Sequence, residues 1–161
     1  MLKNKIIILS LFFFSCSTNI LNNINTTNKS DTDILLKNKI AQMVMIRVNG
    51  DFLNEDDWMK GYIESLIKDY KIGGLITFGG SVHGTYYNLK YFQSLSDIPL
   101  FIAADYERGL GTFIDGTLFP PNMAIAATSD TSLSYKQGSI IAKEAQIVGV
   151  NMVLAPVVDI N

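Results

Sequence analysis

The residues whose types and spacing allow chemistry lie in two short stretches. The first, IAADYERGLGTFIDGTLFPPN, runs from Ile102 to Asn122. It begins as an apolar strand and turns into Asp105, Tyr106, Glu107 and Arg108. It then passes Gly109 and Gly111 and leaves through Phe119-Pro120-Pro121. The second, APVVDIN, carries an apolar run into Asp159. An apolar strand that delivers a carboxylate to a glycine-rich loop is where α/β folds place their ligand contacts. Tyr106, beside Asp105, is placed to touch a ligand held there.

Other chemistries find little support. One histidine, His83, rules out histidine-rich metal sites, and a Ser-His-Asp triad would have to use it. One cysteine excludes an internal disulfide framework and a cysteine metal cluster. A net charge of −2 gives no electrostatic case for nucleic acid. A nucleotide site fits poorly. Gly79-Gly80 follows a strand without a G-x-G-x-x-G, and Gly109-Leu110-Gly111 lacks the third glycine and a following helix.

The surrounding elements alternate. Asp33 is expected to cap a helix through Ile34, Leu35, Ile40 and Met43, followed by a buried strand over Met43 to Val48. Asp56 and Asp57 open a second helix, striped by Trp58, Tyr62, Ile63, Leu66, Ile67 and Tyr70, with Lys68 near its C-terminus. Leu75 to Phe78, between glycine pairs, reads as a buried parallel strand. A third helix over Thr85 to Leu95 precedes a strand over Leu100 to Ala104. Asp130 caps a long helix through Leu133, Ile140, Ile141, Ala145 and Val148, which Gly149 ends, and Asn151 to Val158 is the last strand. The phenylalanines, methionines and Trp58 are read mostly as core. Tyr86, Tyr87 and Tyr91 are read as helix packing rather than as ligand contacts. Four helix-strand units imply a parallel sheet covered by helices. Both an open doubly wound sheet and part of a (β/α)8 barrel fit; a whole barrel needs about 250 residues.

The N-terminus follows another logic. Lys3 and Lys5, the apolar run Ile6 to Phe14, and Ser15-Cys16 have the layout of an export signal. The run is too short to span a bilayer, which takes about 20 apolar residues. The chain's single cysteine directly follows it, so residues 1–16 read as a lipoprotein signal with lipidation at Cys16. The Asn-, Thr- and Ser-rich residues 17–31 read as a flexible tether to a domain over residues 32–161. The expected location is the bacterial cell envelope, anchored to the membrane through Cys16.

The runs KIGGLITFGGS, IPLFIAADYERGLG, LFPPNMAIAAT and GVNMVLAPVVDIN, in this order, resemble the N-terminal barrel domain of glycoside hydrolase family 3. The resemblance covers roughly Leu36 to Asn161. The form D-x-E-x-G-L-G is similar to the bacterial β-N-acetylglucosaminidase (β-N-acetylhexosaminidase) branch. It implies an α/β fold, the first half of a (β/α)8 TIM barrel with about four β/α units. It also implies a retaining, exo-acting hydrolase of β-linked N-acetylhexosamine in cell-wall or glycan fragments, working without metal or organic cofactor. Retention needs a carboxylate nucleophile and an acid/base. The family places these, and a sugar-binding Lys-His pair, beyond Asn161, so no catalytic residue is assigned within residues 1–161 and these residues alone are expected to be inactive.

By the same resemblance, Asp105 matches an acid that accepts hydrogen bonds from sugar hydroxyls, for which two carboxylate oxygens are suited. Glu107 matches the next acid of the motif, with a structural partnership as the equal alternative. Asp159 matches the acid at the end of the fourth strand, with an orienting role. The family's arginine after the motif glycines is replaced here by Thr112-Phe113-Ile114, so Arg108 would have to reach Asp105 or Glu107 instead. The substrate-binding candidates are therefore Asp105, Tyr106, Glu107, Arg108 and Asp159. Two alternatives remain: a truncated, non-catalytic sugar-binding relative, and a β-glucosidase of the same family. The apolar last strand, without a charge before Asp159, is expected to be an aggregation-prone edge.

Overall fold

The computed structural model of the chain describes residues 31–158. The lipidation site at Cys16, the tether up to residue 30 and Asp159 lie outside the described residues. The chain divides into two compact units, Met1–Ile40 and Ala41–Asn161. The first helix, α1, covers residues 31–41, so Asp33 sits within it rather than capping it. Its apolar residues Ile34, Leu35, Leu36 and Ile40 are exposed. Among the described residues, no helix is long and apolar enough to cross a membrane.

Within the second unit the order is β1 (Met45–Asn49), α2 (Trp58–Lys68), β2 (Gly74–Phe78), α3 (Val82–Ser94), β3 (Phe101–Ala104), β4 (Glu107–Leu110), α4 (Asn122–Ala127), α5 (Thr131–Val148) and β5 (Met152–Val153). The sheet is four-stranded and parallel, in the order β1-β2-β3-β5. This is the α/β alternation expected, with two additions inside the central loop: the short strand β4 and the short helix α4.

The helix starts follow from side-chain chemistry. The Asp57 carboxylate accepts from the Met59 N–H at 2.8 Å, Ser81 Oγ from Gly84 N–H at 3.0 Å, and Asp130 from Ser132 N–H at 2.9 Å. Each satisfies a first-turn donor that has no partner inside the helix. Capped by Ser81, α3 starts at Val82, three residues before the expected Thr85. Gly149 closes α5 at φ 92°, the left-handed region that favours glycine.

Register across the sheet assigns its two faces. Ile46, Leu75 and Ile102 are paired neighbours, as are Val48 and Thr77; Thr77, Ala104 and Val153 are likewise aligned. This face packs the core with Ile63, Ile67, Leu89, Phe92, Ile141, Ala145 and Val148 from the helices. On the other face stand Met45, Arg47 and Asn49, then Ile76, Phe78, Phe101, Ala103 and Met152. Phe101 is 57% exposed there, so among the described residues this face is largely uncovered. A parallel sheet ordinarily has both faces buried.

Several elements depart from expectation, β1 and β3 because the second face of the sheet is uncovered. The strand expected over Met43 to Val48 as buried begins at Met45 and alternates, with Met43 and Met45 exposed and Val48 buried. Phe101 is exposed for the same reason. On α2, Ile63 and Ile67 are core, but Trp58 and Tyr62, and Tyr70 just past its end, face solvent, so the inward stripe is narrower than the apolar pattern. Ile140 likewise turns out from α5. The last strand, expected to reach Val158, pairs only at Met152 and Val153. Its ladder ends where Leu154 N–H donates to Ala104 C=O, because β3 has no further residues to offer.

Two asparagines and a set of glycines fix the ends of these strands. Asn151 Nδ2 donates to Leu100 C=O at 3.0 Å while its Oδ1 accepts from Ile102 N–H at 2.8 Å, which locks β5 against β3. Buried Asn88 on α3 donates to the Asp51 carbonyl at 2.6 Å and holds the loop after β1. A Cβ on Gly50 would lie 2.1 Å from Gly79 O, and one on Gly80, at φ 78°, would lie 2.1 Å from Gly50 C. The C-terminal ends of β1 and β2 therefore touch backbone to backbone.

Candidate functional site

Parallel order brings the C-terminal ends of β1, β2, β3 and β5 to one edge of the sheet. Open α/β folds bind ligands at such edges. Asp105 follows β3 directly and is partly buried. Continuing the β2–β3 register by one residue sets it beside Phe78, which is itself paired with Asn49. The alternation along β3 turns Asp105 toward the uncovered face. Among the described residues its carboxylate has neither a hydrogen bond nor an ion pair. Its acceptor capacity is free for a ligand.

Tyr106 takes the opposite direction, under the helices. It is 1% exposed, and its ring meets Phe113 edge-on at 5.7 Å. Its hydroxyl finds no partner. Burial pushes the pKa of this phenol far above its ordinary value. Tyr106 and Glu107 line a cavity of about 510 Å³ bounded by α4, α5 and the residues after β5. Its apolar wall includes Ile125, Ile141 and Val153, and Gln137 contributes an amide. Gln137 Oε1 is also buried without a partner. The cavity thus joins an apolar wall to unsatisfied polar atoms, the make-up of a small-molecule pocket.

Glu107 is exposed and has no hydrogen-bond or ion-pair partner among the described residues. Arg108 is committed elsewhere. Its Nε–H donates to the Phe119 carbonyl at 3.0 Å, and the Phe119 N–H returns a bond to the Arg108 carbonyl at 3.0 Å. Arg108 clamps the loop's exit and pairs with neither acid. Asp159 lies outside the described residues. The structure therefore does not gather the five candidates at one point. Asp105 faces the open side of the sheet, while Tyr106 and Glu107 face the cavity.

Loop chemistry missed in the sequence holds this edge in place. Asp115 accepts from the Val82 N–H at the start of α3, at 2.8 Å, and Ile114 N–H donates to Gly80 C=O at 3.0 Å. Thr117 Oγ donates to Glu144 of α5 at 2.9 Å. The FIDGT segment is thus sewn to both neighbouring helices. Its signal in the sequence is the aspartate-glycine pair Asp115-Gly116, a turn-forming dipeptide. His83 is exposed at the first turn of α3 and, among the described residues, has no hydrogen bond or ion pair with the candidates. Among the described residues, no group of three His, Cys, Asp or Glu side chains is placed to hold a metal ion.

These features define a β/α-type domain with a carboxylate-bearing ligand edge at the C-terminal ends of its parallel strands. The model of the glycosyl hydrolase family 3 N terminal domain matches residues 35–161. The chain belongs to that family. A beta-hexosaminidase A from Pseudoalteromonas piscicida is 36% identical over 113 residues, covering 62% of this chain and 19% of that protein. A beta-N-acetylglucosaminidase/beta-glucosidase from Cellulomonas fimi is 31% identical over 101 residues, covering 62% and 18%. The chain thus spans about a fifth of the length of these relatives. A solved beta-glucoside phosphorylase, BglX, superposes with a TM-score of 0.65 at 27% identity, covering 77% of this chain and 22% of that one. NagZ from Neisseria gonorrhoeae has the same fold over 73% of this chain and 37% of its own, with a TM-score of 0.55 at 22% identity.

Proposed function

We propose that these residues are the N-terminal part of a retaining, exo-acting glycosidase that removes β-linked N-acetylhexosamine from cell-wall or glycan fragments. One observation carries the reading: Asp105, directly after β3, is a carboxylate with no partner among the described residues. Two acceptor oxygens fixed on a strand end suit two neighbouring hydroxyls of a pyranose. Family membership makes that hydroxyl-bearing ligand a glycoside. The hexosaminidase preference rests on the D-x-E-x-G-L-G form and on the hexosaminidase and N-acetylglucosaminidase relatives.

In this reading the four parallel strands are the first half of a (β/α)8 barrel. The uncovered face carrying Phe78, Phe101 and Met152 becomes the barrel interior, closed by further β/α units. Asp105 binds substrate and Asp159 orients it. The nucleophile and the acid/base come from the units that complete the barrel. Export and lipid anchoring at Cys16 place the enzyme at the cell envelope.

A second reading, cleavage of β-glucosides, is favoured by the beta-glucosidase and phosphorylase names among the relatives and solved structures. The two are separated by assaying the native protein with chromogenic β-N-acetylglucosaminide and β-glucoside, with and without phosphate. Faster release from the N-acetylglucosaminide supports the first reading. Release from the glucoside alone replaces it with the second, and release from neither removes both.

A further inference from the structure

The cavity beneath α4 and α5 has no part in sugar binding by Asp105, which faces the other side of the sheet. It encloses about 510 Å³, within the roughly 300–1,000 Å³ of small-molecule sites. Ile125 from α4, Ile141 from α5 and Val153 from β5 give it an apolar wall. Its polar side chains offer mainly acceptors. Gln137 Nε2 donates to the Pro120 carbonyl at 3.4 Å. A carbonyl can only accept, so this contact fixes which way the amide is turned. It leaves Gln137 Oε1, an acceptor, buried without a partner. Glu107 is exposed at the cavity's open side, and its carboxylate is unpaired among the described residues. The hydroxyl of buried Tyr106 also lacks a partner and can serve as either donor or acceptor.

This donor and acceptor pattern selects the occupant. A buried acceptor left without a donor costs free energy, and a ligand that brings the donor removes that cost. The unpaired Glu107 carboxylate favours a cation and repels an anion. Arg108 lines the adjoining recess with Glu107 but not this cavity, so no cation stands on the wall to reverse that preference. The apolar wall in turn favours a ring or alkyl body over a polyol. We propose that the cavity binds an amphipathic amine, with its apolar body against Ile125, Ile141 and Val153 and its N–H donors directed to Glu107 and Gln137. The ligand class follows from the cavity's own side chains and does not rest on the glycosidase reading.

The test uses three ligands that share an indole body and differ in the head group: tryptamine, the alcohol tryptophol and indole-3-acetate. Each is titrated into the full chain and followed by amide NMR. Tryptamine should shift Ile125, Gln137, Ile141 and Val153. Tryptophol should bind about tenfold more weakly, and indole-3-acetate more weakly still. Glu107→Gln, a surface change that leaves the fold intact, should weaken tryptamine about tenfold and leave tryptophol unchanged. Gln137→Leu, which removes the buried acceptor at similar size, should weaken both. The proposal is overturned if tryptamine shifts none of these residues, if all three ligands bind equally, or if Glu107→Gln binds tryptamine as the parent does. Hydrolysis of the chromogenic glycosides is a separate readout, so either reading can fail without the other.

Discussion

Replacing Tyr106 by phenylalanine should make this domain more stable. The Tyr106 ring is core, packed edge-on against Phe113, and Phe keeps that contact. What Phe removes is a hydroxyl that is buried and has no partner. In the unfolded chain that hydroxyl is hydrated, so folding costs its desolvation, about 1–3 kcal/mol. The void left by one oxygen forfeits a few dispersion contacts at roughly 0.1–0.2 kcal/mol each. The balance is a gain of about 1 kcal/mol. At a urea m-value of roughly 2 kcal/mol/M, the midpoint rises by about 0.5 M. Far-UV circular dichroism is the suitable probe, because the single tryptophan, Trp58, is largely exposed in the native fold. Dilute protein keeps the β5 edge from associating. A midpoint that falls on Tyr106→Phe would show that the hydroxyl is paired in the native state and would refute the reasoning.

The same residue gives a pH dependence. Because burial raises the folded-state pKa of Tyr106, the folded state retains its proton above pH 10 while the unfolded tyrosine loses it. Stability is therefore full below about pH 10 and falls as pH rises beyond it; Tyr106→Phe should flatten that fall, measured as urea midpoints between pH 9 and 11. Asn151→Ala strips the partners from Ile102 N–H and Leu100 C=O, both in buried residues. It should cost about 2 kcal/mol, reduced by whatever water replaces at the sheet edge, and speed amide exchange at Ile102. Gly50→Ala drives a methyl into Gly79 O and Thr85 Oγ1, so a loss of about 3 kcal/mol is expected in the same urea assay. An unchanged midpoint in either variant would contradict the contacts described.

Much of the fold was legible because local chemistry and global fold agree. Asp57, Asp130 and Gly149 mark helix ends by their own side-chain or backbone preferences, and Leu75–Phe78 and Ile102–Ala104 are apolar runs too short to be helices. What failed was the inference from apolar to buried. Trp58, Tyr62, Phe101 and Met45 are apolar but face outward, because burial depends on what covers each face, and periodicity does not report that. The end of β5 was missed for a related reason: a strand stops where its partner stops, and β3 ends at Ala104. At the candidate site, the strand-end position of Asp105 was readable from its place after FIAA. The divergence of Asp105 from Tyr106 follows only once the alternation is tied to a sheet with one covered face. The clamp between Arg108 and Phe119 joins residues eleven apart through a backbone carbonyl and leaves no mark on residue type.

The central claim is that Asp105 holds the sugar. Its most direct test is the kcat/KM for a chromogenic β-N-acetylglucosaminide, measured on the native protein and on its Asp105→Asn variant. Asparagine keeps the shape but replaces one acceptor oxygen by a donor and removes the charge. Losing charge-assisted hydrogen bonds worth about 1.5–3 kcal/mol should lower kcat/KM by at least tenfold, and up to about a hundredfold. Equal kcat/KM for the two proteins, with the variant folded, would contradict the account.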